Sequence, residues 1–302
     1  MPGFDSQLFY TTKWIVCKSK KKIKHTIVSL TGGKLIMLNL IRRYPLIFFI
    51  LLTLIISWFP WYAGGEGIFV FGPSVAGVIT IALVAGKEGL QELVRRALQW
   101  KVGLKWWLVA LLLPALLTLV ALGVNLLMGA VVPPFTFIKE QWYLLPVFFL
   151  ITLVGGPLGE EFGWRGFMLP RLQQKYAPWL ASLLLGLTWG LWHLPQFFNP
   201  QAVHFELGLA RLPLYVIAEI GLATLMTWVY NKTKGSLLVG GFIYHNADNF
   251  WGVVLLTAAT FSGALGGESA GVDVCFWTIS VIVTTLAALV LCILTRGRLG
   301  RE

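Results

Sequence analysis

The sequence predicts an all-α integral membrane protein with about eight transmembrane helices and both termini in the cytosol. Three observations support this fold class. Of the 302 residues, 57% are hydrophobic and 12% are charged, whereas a soluble domain is about 45–50% apolar and about 25% charged. The apolar residues form long runs separated by short polar segments. The basic residues concentrate in alternate polar segments, as the positive-inside rule requires.

The chain begins with a polar, basic segment over residues 1–43, which includes the run Lys18-Ser19-Lys20-Lys21-Lys22. We predict a disordered cytosolic arm that contacts anionic lipid. It is no secretory signal, because the apolar stretch that follows has spanning length and lacks a small-residue cleavage site. Met37 is an alternative start site. Residues 44–302 are predicted to form one polytopic membrane domain.

A transmembrane helix requires about 20 apolar residues. The sequence contains eight such stretches: Tyr44–Tyr62, Ile68–Gly86, Trp106–Val132, Trp142–Leu158, Ala177–Phe198, Leu209–Tyr230, Ser236–Ala259 and Val274–Thr295. Between spans two and three, Lys87–Lys105 has the charged and apolar spacing of an amphipathic helix on the membrane surface. Before span seven, Gly235 is typical of a turn and Ser236 of a helix N-cap.

The basic residues orient the chain. With the N-terminus in the cytosol, all of the 24 Lys and Arg residues except Lys139 and Arg211 fall on the cytosolic side. This distribution predicts an even number of spans, and we expect a bacterial plasma membrane. The net charge of +11 therefore indicates topology and the lipid bilayer as a partner, and no nucleic acid is expected. The cysteines Cys17, Cys275 and Cys292 contain no close pair typical of disulfide frameworks or zinc knuckles.

Few strongly polar residues lie within the apolar stretches, where an ionisable group costs several kcal/mol unless it is paired or solvated. Glu161 and Arg165 are four residues apart, so in a helix they lie on one face and can pair. Adjacent positions diverge by about 100°, so Glu160 points elsewhere. The pattern predicts that one carboxylate is structural and the other is free for chemistry.

Two later helices add polar groups to this set. His193 follows Trp189 in span five, and His245 and Asn249 lie four residues apart on one face of span seven. A carboxylate, two imidazoles and an amide on three apolar helices can together position and activate a water molecule. His204, in the outer loop, is expected to be solvated.

The sequence resembles the CAAX-protease and bacteriocin-processing (CPBP, or Abi) family of intramembrane proteases, which includes the eukaryotic Ras-converting prenyl-protein endopeptidase. The resemblance covers roughly Trp142 to Asn249, so we place the motif core at about residues 142–250. Its three ordered motifs are matched by Glu160-Glu161-x-x-x-Arg165, by Trp189-x-x-x-His193 and by His245-x-x-x-Asn249. The second departs from the family pattern because Trp replaces Phe, which keeps an aromatic residue.

The resemblance implies an intramembrane endopeptidase that hydrolyses a membrane-associated peptide or protein, which in some relatives is prenylated. It implies that Glu160 is the general base that activates water. Glu161 and Arg165 would form a structural pair. His193 would orient the water, and the remaining two motif residues, His245 and Asn249, would donate hydrogen bonds to the oxyanion.

Three alternatives stay open at this point. Zinc bound by His193, His245 and Glu160 is one, although the His-Glu-x-x-His signature is absent and a metal-free site without a cofactor is favoured. A proton- or ion-coupled transporter that also uses Glu219 is the second, and no inverted repeat supports it. A non-catalytic bacteriocin-immunity or scaffold protein is the third.

Helix lengths raise a geometric problem. At about 1.5 Å per residue, Glu160 lies near the inner end of span four, whereas His193 lies near the outer end of span five. The helices must therefore tilt or break, and we expect the breaks at Gly155-Gly156-Pro157 and at Arg165–Gln174. We also expect a cavity that opens toward the cytosol.

Overall fold

The computed structural model describes residues 36–256 and 273–301, and throughout these residues the regular structure is helical. Most of the basic arm predicted over residues 1–43 lies outside the described residues. The chain divides into a unit that ends at Leu40 and a unit that begins at Ile41. Residues 36–40 are helical, and the structure discussed below belongs entirely to the second unit.

In its described residues, the second unit consists of α-helices joined by short turns. Its helices are α1 Pro45–Tyr62, α2 Gly72–Ala97, α3 Leu104–Leu127, α4 Thr136–Glu140, α5 Leu145–Gly155, α6 Pro157–Gly163, α7 Leu169–Gln173, α8 Pro178–Trp192, α9 Val203–Leu207, α10 Leu212–Lys232, α11 Tyr244–Leu256 and α12 Val274–Leu294. Two π-helical segments, Trp164–Met168 and Leu238–Ile243, precede α7 and α11. Three 3-10 turns cover Trp142–Leu144, Leu194–Phe198 and Leu209–Arg211.

The all-helical membrane architecture is confirmed. Five helices in the described residues are long and apolar enough to cross a membrane, and a sixth span is formed if α5 and α6–α7 are counted as one bent helix. Two of the predicted spans are shorter helices here, because α8 has 15 residues and α11 has 13. The count of eight and the cytosolic termini stay predictions.

The amphipathic segment after span two forms a separate part of α2. The helix breaks at Gly86, whose φ of +59° and ψ of −149° are strained for a residue with a Cβ atom. Beyond the break, Leu93 is buried while Glu92 and Arg95 are exposed and form an ion pair of 2.6 Å. The sequence boundary at Gly86 is therefore confirmed, and the segment has the two faces that the spacing predicts.

Glycines on two of the motif-bearing helices allow close contact with their neighbours. Gly159 and Gly163 on α6 lie against the start of α2, and Gly186 and Gly190 on α8 lie against α10. A Cβ atom at Gly186 would stand 2.5 Å from the Cα of Ile220, which is too close for any side chain. Pairs of small residues four apart are the usual device for tight helix contacts in membranes. They fix the positions of the two helices that carry the first two motifs.

The start of the span-seven segment follows the sequence prediction. Gly235 has a φ of +82°, and the hydroxyl of Ser236 accepts a hydrogen bond of 3.1 Å from the backbone N–H of Val239. The predicted turn and N-cap are confirmed. The π-helical segment that follows offsets the helix before His245, and such segments are frequent at functional sites.

Candidate active site

A break in the fourth predicted span brings the motif residues together. The segments Trp142–Gly155 and Pro157–Gln173 meet at an angle of 42° around Gly156, where the sequence predicts a break. Pro157 occupies the start of α6 and Glu160 lies in its first turn. The second expected segment also departs from α-helical geometry, since Trp164–Met168 is a π-helix. The bend sets Glu160 beside α8, where it contacts Trp189.

The Glu160 carboxylate has one anchored oxygen and one free oxygen. Oε2 accepts hydrogen bonds from the indole N–H groups of Trp189 at 2.6 Å and Trp164 at 3.3 Å. Oε1 accepts none from the described residues and lies 3.8 Å from where a Cβ atom of Gly156 would stand. The side chain is only 5% exposed. Two neutral donors thus fix a carboxylate whose other oxygen remains available to a water molecule.

The neighbouring Glu161 carboxylate is engaged in a different way. Its Oε1 accepts hydrogen bonds from Arg165 Nη1 at 2.6 Å and from His245 Nδ1 at 2.8 Å. Both Glu161 and Arg165 are fully buried, and the guanidinium lies over the Trp189 ring at 4.6 Å. The ion pair that the four-residue spacing predicts is therefore present. It also holds a histidine from the third motif.

A cavity of about 260 Å³ joins the three motif helices. From the sequence-predicted set, it is lined by Glu160, His193, His245 and Asn249. Glu161 and Arg165 lie behind this wall rather than in it. The structure therefore brings four predicted site residues to one cavity, with the buried ion pair supporting them.

The hydrogen bonds of the two histidines fix which ring nitrogen remains free. His193 Nδ1 lies 3.0 Å from the carbonyl oxygen of Trp189, and because a carbonyl only accepts, Nδ1 is the donor. His245 Nδ1 likewise donates to the carboxylate of Glu161. Each ring therefore has only Nε2 left for a water molecule or a substrate. The centroid of the His193 ring lies 4.7 Å from that of Trp192 and 6.5 Å from that of Trp189, so Trp192 is the closer indole.

Asn249 completes the polar face opposite Glu160. It is exposed, and its Nδ2 lies 3.3 Å from where a Cβ atom of Gly156 would stand. The absence of a side chain at Gly156 thus leaves open space between an amide donor and the free oxygen of the carboxylate. A reacting carbonyl group requires such a gap.

The residues do not fit the alternative zinc site. Among residues 36–256 and 273–301, no three His, Cys, Asp or Glu side chains are placed to hold a metal ion. The combination of Glu160, His193 and His245 therefore does not form a ligand set in this structure. Metal dependence stays a prediction to be measured.

The expectation that His204 is solvated is wrong. Its ring stacks on His193 with centroids 5.2 Å apart and an interplanar angle of 18°, and Tyr215 packs against both rings. Burial lowers the pKa of His204 to about 4. The sequence gives no periodic signal at this position, because His204 lies in a five-residue helix within a loop.

Three further polar residues, Tyr215, Glu219 and Asp248, line the same cavity. Tyr215 and Glu219 are neighbours one turn apart on α10 and interact through their side chains. The spacing of four residues within an apolar helix was the available signal for this pair. Asp248 directly precedes the motif residue Asn249, and only the placement of α11 reveals that it faces the cavity.

The cavity lies at the end of α8 and α10 that is remote from the basic loops. Arg96 donates to the Tyr230 hydroxyl near the end of α10, and Arg301 donates to the backbone of Gln173 before α8 begins. His193 follows the other end of α8, about 22 Å away at 1.5 Å per residue over its 15 residues. The cavity therefore lies near the end of α8 that is farther from the basic loops, and its opening toward the cytosol stays a prediction.

Comparisons with known proteins give the same assignment as the motifs. The family model for type II CAAX prenyl endopeptidases (Rce1-like) matches residues 141–246. A protein named CAAX prenyl protease 2 from Methanococcus maripaludis is 25% identical over 231 residues, which cover 69% of this chain and 84% of the relative. The chain is therefore similar to the CAAX prenyl endopeptidases over the region that carries most of the motif residues. The matched region contains Glu160, His193 and His245 and ends three residues before Asn249. These matches support a peptidase of the CAAX prenyl protease kind.

Proposed function

We propose that the protein is an intramembrane endopeptidase in which Glu160 activates a water molecule for attack on a peptide bond. One observation carries the proposal. Two indole N–H groups hold one oxygen of a buried carboxylate, and the other oxygen faces a cavity shared with two imidazoles and an amide. A preorganised base beside hydrogen-bond donors is the arrangement that acyl transfer to water requires.

The proposed reaction uses side-chain atoms of the residues that line the cavity, in the following sequence of steps. A water molecule donates one proton to Glu160 Oε1 and is oriented by His193 Nε2, which accepts its second proton as a hydrogen bond. Its oxygen attacks the carbonyl carbon, and the resulting oxyanion accepts hydrogen bonds from Asn249 Nδ2 and, when the ring carries both protons, from His245 Nε2. The C–N bond then breaks, and the proton held by Glu160 passes to the leaving amine. The products are a carboxylic acid, which ionises, and an amine.

Glu161 and Arg165 support this reaction without touching the substrate. Arg165 neutralises Glu161 inside the protein, and Glu161 fixes the His245 ring through Nδ1. Breaking such a buried pair leaves an uncompensated charge. The pair therefore sets both the conformation of α6 and the direction in which His245 Nε2 points.

The similarity to type II CAAX prenyl endopeptidases and to the named relative supports the substrate class proposed here. We propose a membrane-associated peptide or protein, and the name of the Methanococcus protein makes prenylated C-terminal peptides the first candidates. The cavity volume of about 260 Å³ suits a few residues around one scissile bond. It does not suit a folded domain, so the cleaved segment must be extended.

A side-by-side digest tests the proposal. The purified protein and its Glu160→Gln variant would receive a peptide library in detergent micelles, including farnesylated C-terminal peptides, with products read by mass spectrometry. Glu88→Gln is the matched control, because Glu88 is exposed and far along the chain from the cavity residues. We expect cleavage by the parent and the control, and none by Glu160→Gln. Equal cleavage by all three proteins would contradict the proposal.

A proton-coupled transporter remains the second candidate, because Glu219 and Asp248 line the same cavity as Glu160. A transport path requires a chain of titratable groups inside the membrane. Proteoliposomes loaded with a pH-sensitive dye would distinguish the two functions. We expect no flux that depends on Glu219, whereas flux abolished by Glu219→Gln, together with no cleavage of any peptide, would favour the transporter.

A further inference from the structure

A second cavity adjoins the candidate active site. It has a volume of about 260 Å³ and lies between α3, α10, α11 and α12. Four residues line both cavities: Tyr215, Glu219, Leu222 and Asp248. These side chains therefore form the wall between the two spaces. A group bound beside Glu160 can extend a side chain toward this wall.

The wall contains a buried carboxylate oxygen without a donor. Glu219 is 8% exposed, and its Oε2 has no hydrogen-bond partner among the described residues. Its neighbour Tyr215 interacts with it from one turn away on α10. Asp248 adds a second, half-buried carboxyl group on α11. An unpaired buried polar group is energetically costly, so this arrangement has room for a hydrogen-bond donor that the described residues do not supply.

The remaining walls of the second cavity suit a long side chain with a cationic end. Leu117, Leu222 and Val281 offer apolar contact, and Trp277 offers an aromatic surface. No Lys or Arg of the described residues lines the cavity. Lysine and arginine pack their methylene stems on apolar surface while the charged end reaches a polar partner. An aromatic ring adds attraction for a cation.

We propose that the second cavity is the subsite for a basic side chain of the substrate, which places its ammonium or guanidinium group against Glu219 and Asp248. The inference rests on the proposed peptidase function, since it assigns this chemistry to a residue near the scissile bond. The volume lies below the about 300–1,000 Å³ of a pocket for a drug-sized ligand, so the subsite accepts one side chain. The substrate class is therefore a membrane-associated peptide with a lysine or arginine close to the cleaved bond.

Binding to an inactive variant tests the subsite without requiring cleavage. Peptide pairs would differ at a single position, with lysine in one and norleucine in the other, so that the stem is kept and the charge removed. Their dissociation constants would be measured on detergent-purified Glu160→Gln protein, with the exchanged position moved along the peptide. We expect one position at which lysine binds at least about tenfold more tightly, as a buried charge pair supports.

Substitutions in the wall between the two cavities test whether Glu219 causes the preference for lysine in binding. In the Glu160→Gln background, Glu219→Gln should abolish the lysine preference, Asp248→Asn should reduce it, and Glu219→Asp should retain part of it. Glu88→Gln, an exposed position, is the matched control and should leave the preference unchanged. Thermal unfolding of each variant checks that the fold is intact, and Glu219→Asp keeps the test valid if the glutamine variant does not fold.

Three results would overturn the proposal: equal affinities at every position, a lysine preference that survives Glu219→Gln in a folded protein, or no measurable binding by the whole peptide series. Failure of the peptidase function has a different signature. In that case the protein with Glu160 intact cleaves neither peptide of any pair, while the lysine preference in binding and its loss in Glu219→Gln remain.

Discussion

Glu160 and Glu161 are adjacent residues of the same type in one turn of α6, and both are buried, yet their surroundings are opposite. Glu161 lies against Arg165 and His245, which share one of its oxygens. Among the described residues, the hydrogen-bond donors to Glu160 are the neutral indole groups of Trp164 and Trp189, and its second oxygen faces a cavity. A charged partner holds one carboxylate as a structural group, whereas neutral donors orient the other and leave it available. The divergence of about 100° between neighbouring helical positions produces this division.

The largest effect on stability is expected from breaking the ion pair of Glu161 and Arg165. Arg165→Met leaves the fully buried Glu161 with His245 as its remaining partner, and breaking a buried pair costs about 3–5 kcal/mol. We therefore expect a large loss of thermal stability in detergent, with activity lost as a consequence. The double variant Glu161→Leu/Arg165→Met should be more stable than the single variant, because no unpaired charge remains. A single variant as stable as the parent would show that the pair has no structural role.

The indole anchors of Glu160 provide the next test. Trp189→Phe keeps an aromatic ring but removes the hydrogen bond of 2.6 Å, and a bond to a charged group contributes about 1.5–3 kcal/mol. We expect kcat to fall about 10–100-fold with little change in KM, since the base loses its orientation. Trp164→Phe removes the longer bond of 3.3 Å and should have a smaller effect. The reverse order would contradict the assignment of Trp189 as the principal anchor.

The space between Glu160 and Asn249 can be narrowed without changing any polar group. In Gly156→Ala the new methyl group would lie 3.3 Å from Asn249 Nδ2 and 3.8 Å from Glu160 Oε1. We expect kcat to fall by up to about 100-fold, because small displacements at a reacting centre have effects of this size. Gly123→Ala in α3 is the matched control, since its Cβ atom would meet nothing within 4 Å and Gly123 does not line the cavity. Steady-state kinetics and thermal unfolding of both variants decide the result.

A smaller effect is expected at the aromatic contact with His193. His204→Phe keeps a ring against His193, whereas His204→Ala removes an aromatic pair that contributes about 0.5–1.5 kcal/mol. Kinetics at neutral pH should therefore show a greater loss of activity for the alanine variant. Activity that falls equally in both variants would mean that His204 acts through its imidazole chemistry instead.

The His204→Phe variant should also change how thermal stability depends on pH. Burial lowers the pKa of His204 to about 4 from an ordinary value of about 6.5. The stability contributed by the neutral ring is therefore fully present above about pH 6.5 and is lost as the pH falls through about 4. Between these values the parent should lose more thermal stability than His204→Phe. Parallel unfolding curves for the two proteins would show that His204 is not held in its neutral form by the fold.

The orientation of the cavity relative to the membrane can be measured by cysteine labelling, which does not depend on activity. In a protein with its three cysteines replaced, Gln201→Cys lies in the segment beside the cavity and Lys234→Cys lies in a basic loop. If the basic loops are cytosolic, a membrane-impermeant maleimide should label only Gln201→Cys in intact cells. Labelling of Lys234→Cys alone would reverse the orientation and place access to Glu160 on the cytosolic side.

Much of the fold follows from short-range features that a sequence displays. The ion pair of Glu161 and Arg165, the break near Gly156 and the N-cap at Ser236 each depend on residues within a few positions of one another. The glycine pairs on α6 and α8 are also a short-range pattern, typical of close helix contacts, and no prediction above was drawn from them.

The composition of the cavity wall depends on contacts between distant segments, which a sequence does not display. In the sequence, His204 lies in a loop. Its contact with His193 depends on the position of α9. In the sequence, Asp248 is a polar neighbour of Asn249. Its place in the cavity wall depends on the rotation of α11, which follows the π-helical segment. Likewise, the sequence shows Glu219 as an intramembrane carboxylate, but its position in the wall between two cavities depends on the packing of α10 against α8 and α12.

The most direct test of the division between the two carboxylates measures activity and thermal stability together in Glu160→Gln and Glu161→Gln. For Glu160→Gln we predict a loss of peptide hydrolysis of about 10²–10⁴-fold, the contribution of a general base, with nearly unchanged stability because the amide oxygen still accepts from the indoles. For Glu161→Gln we predict the opposite order, with a large loss of stability. Substantial hydrolysis by a folded Glu160→Gln protein would contradict the account.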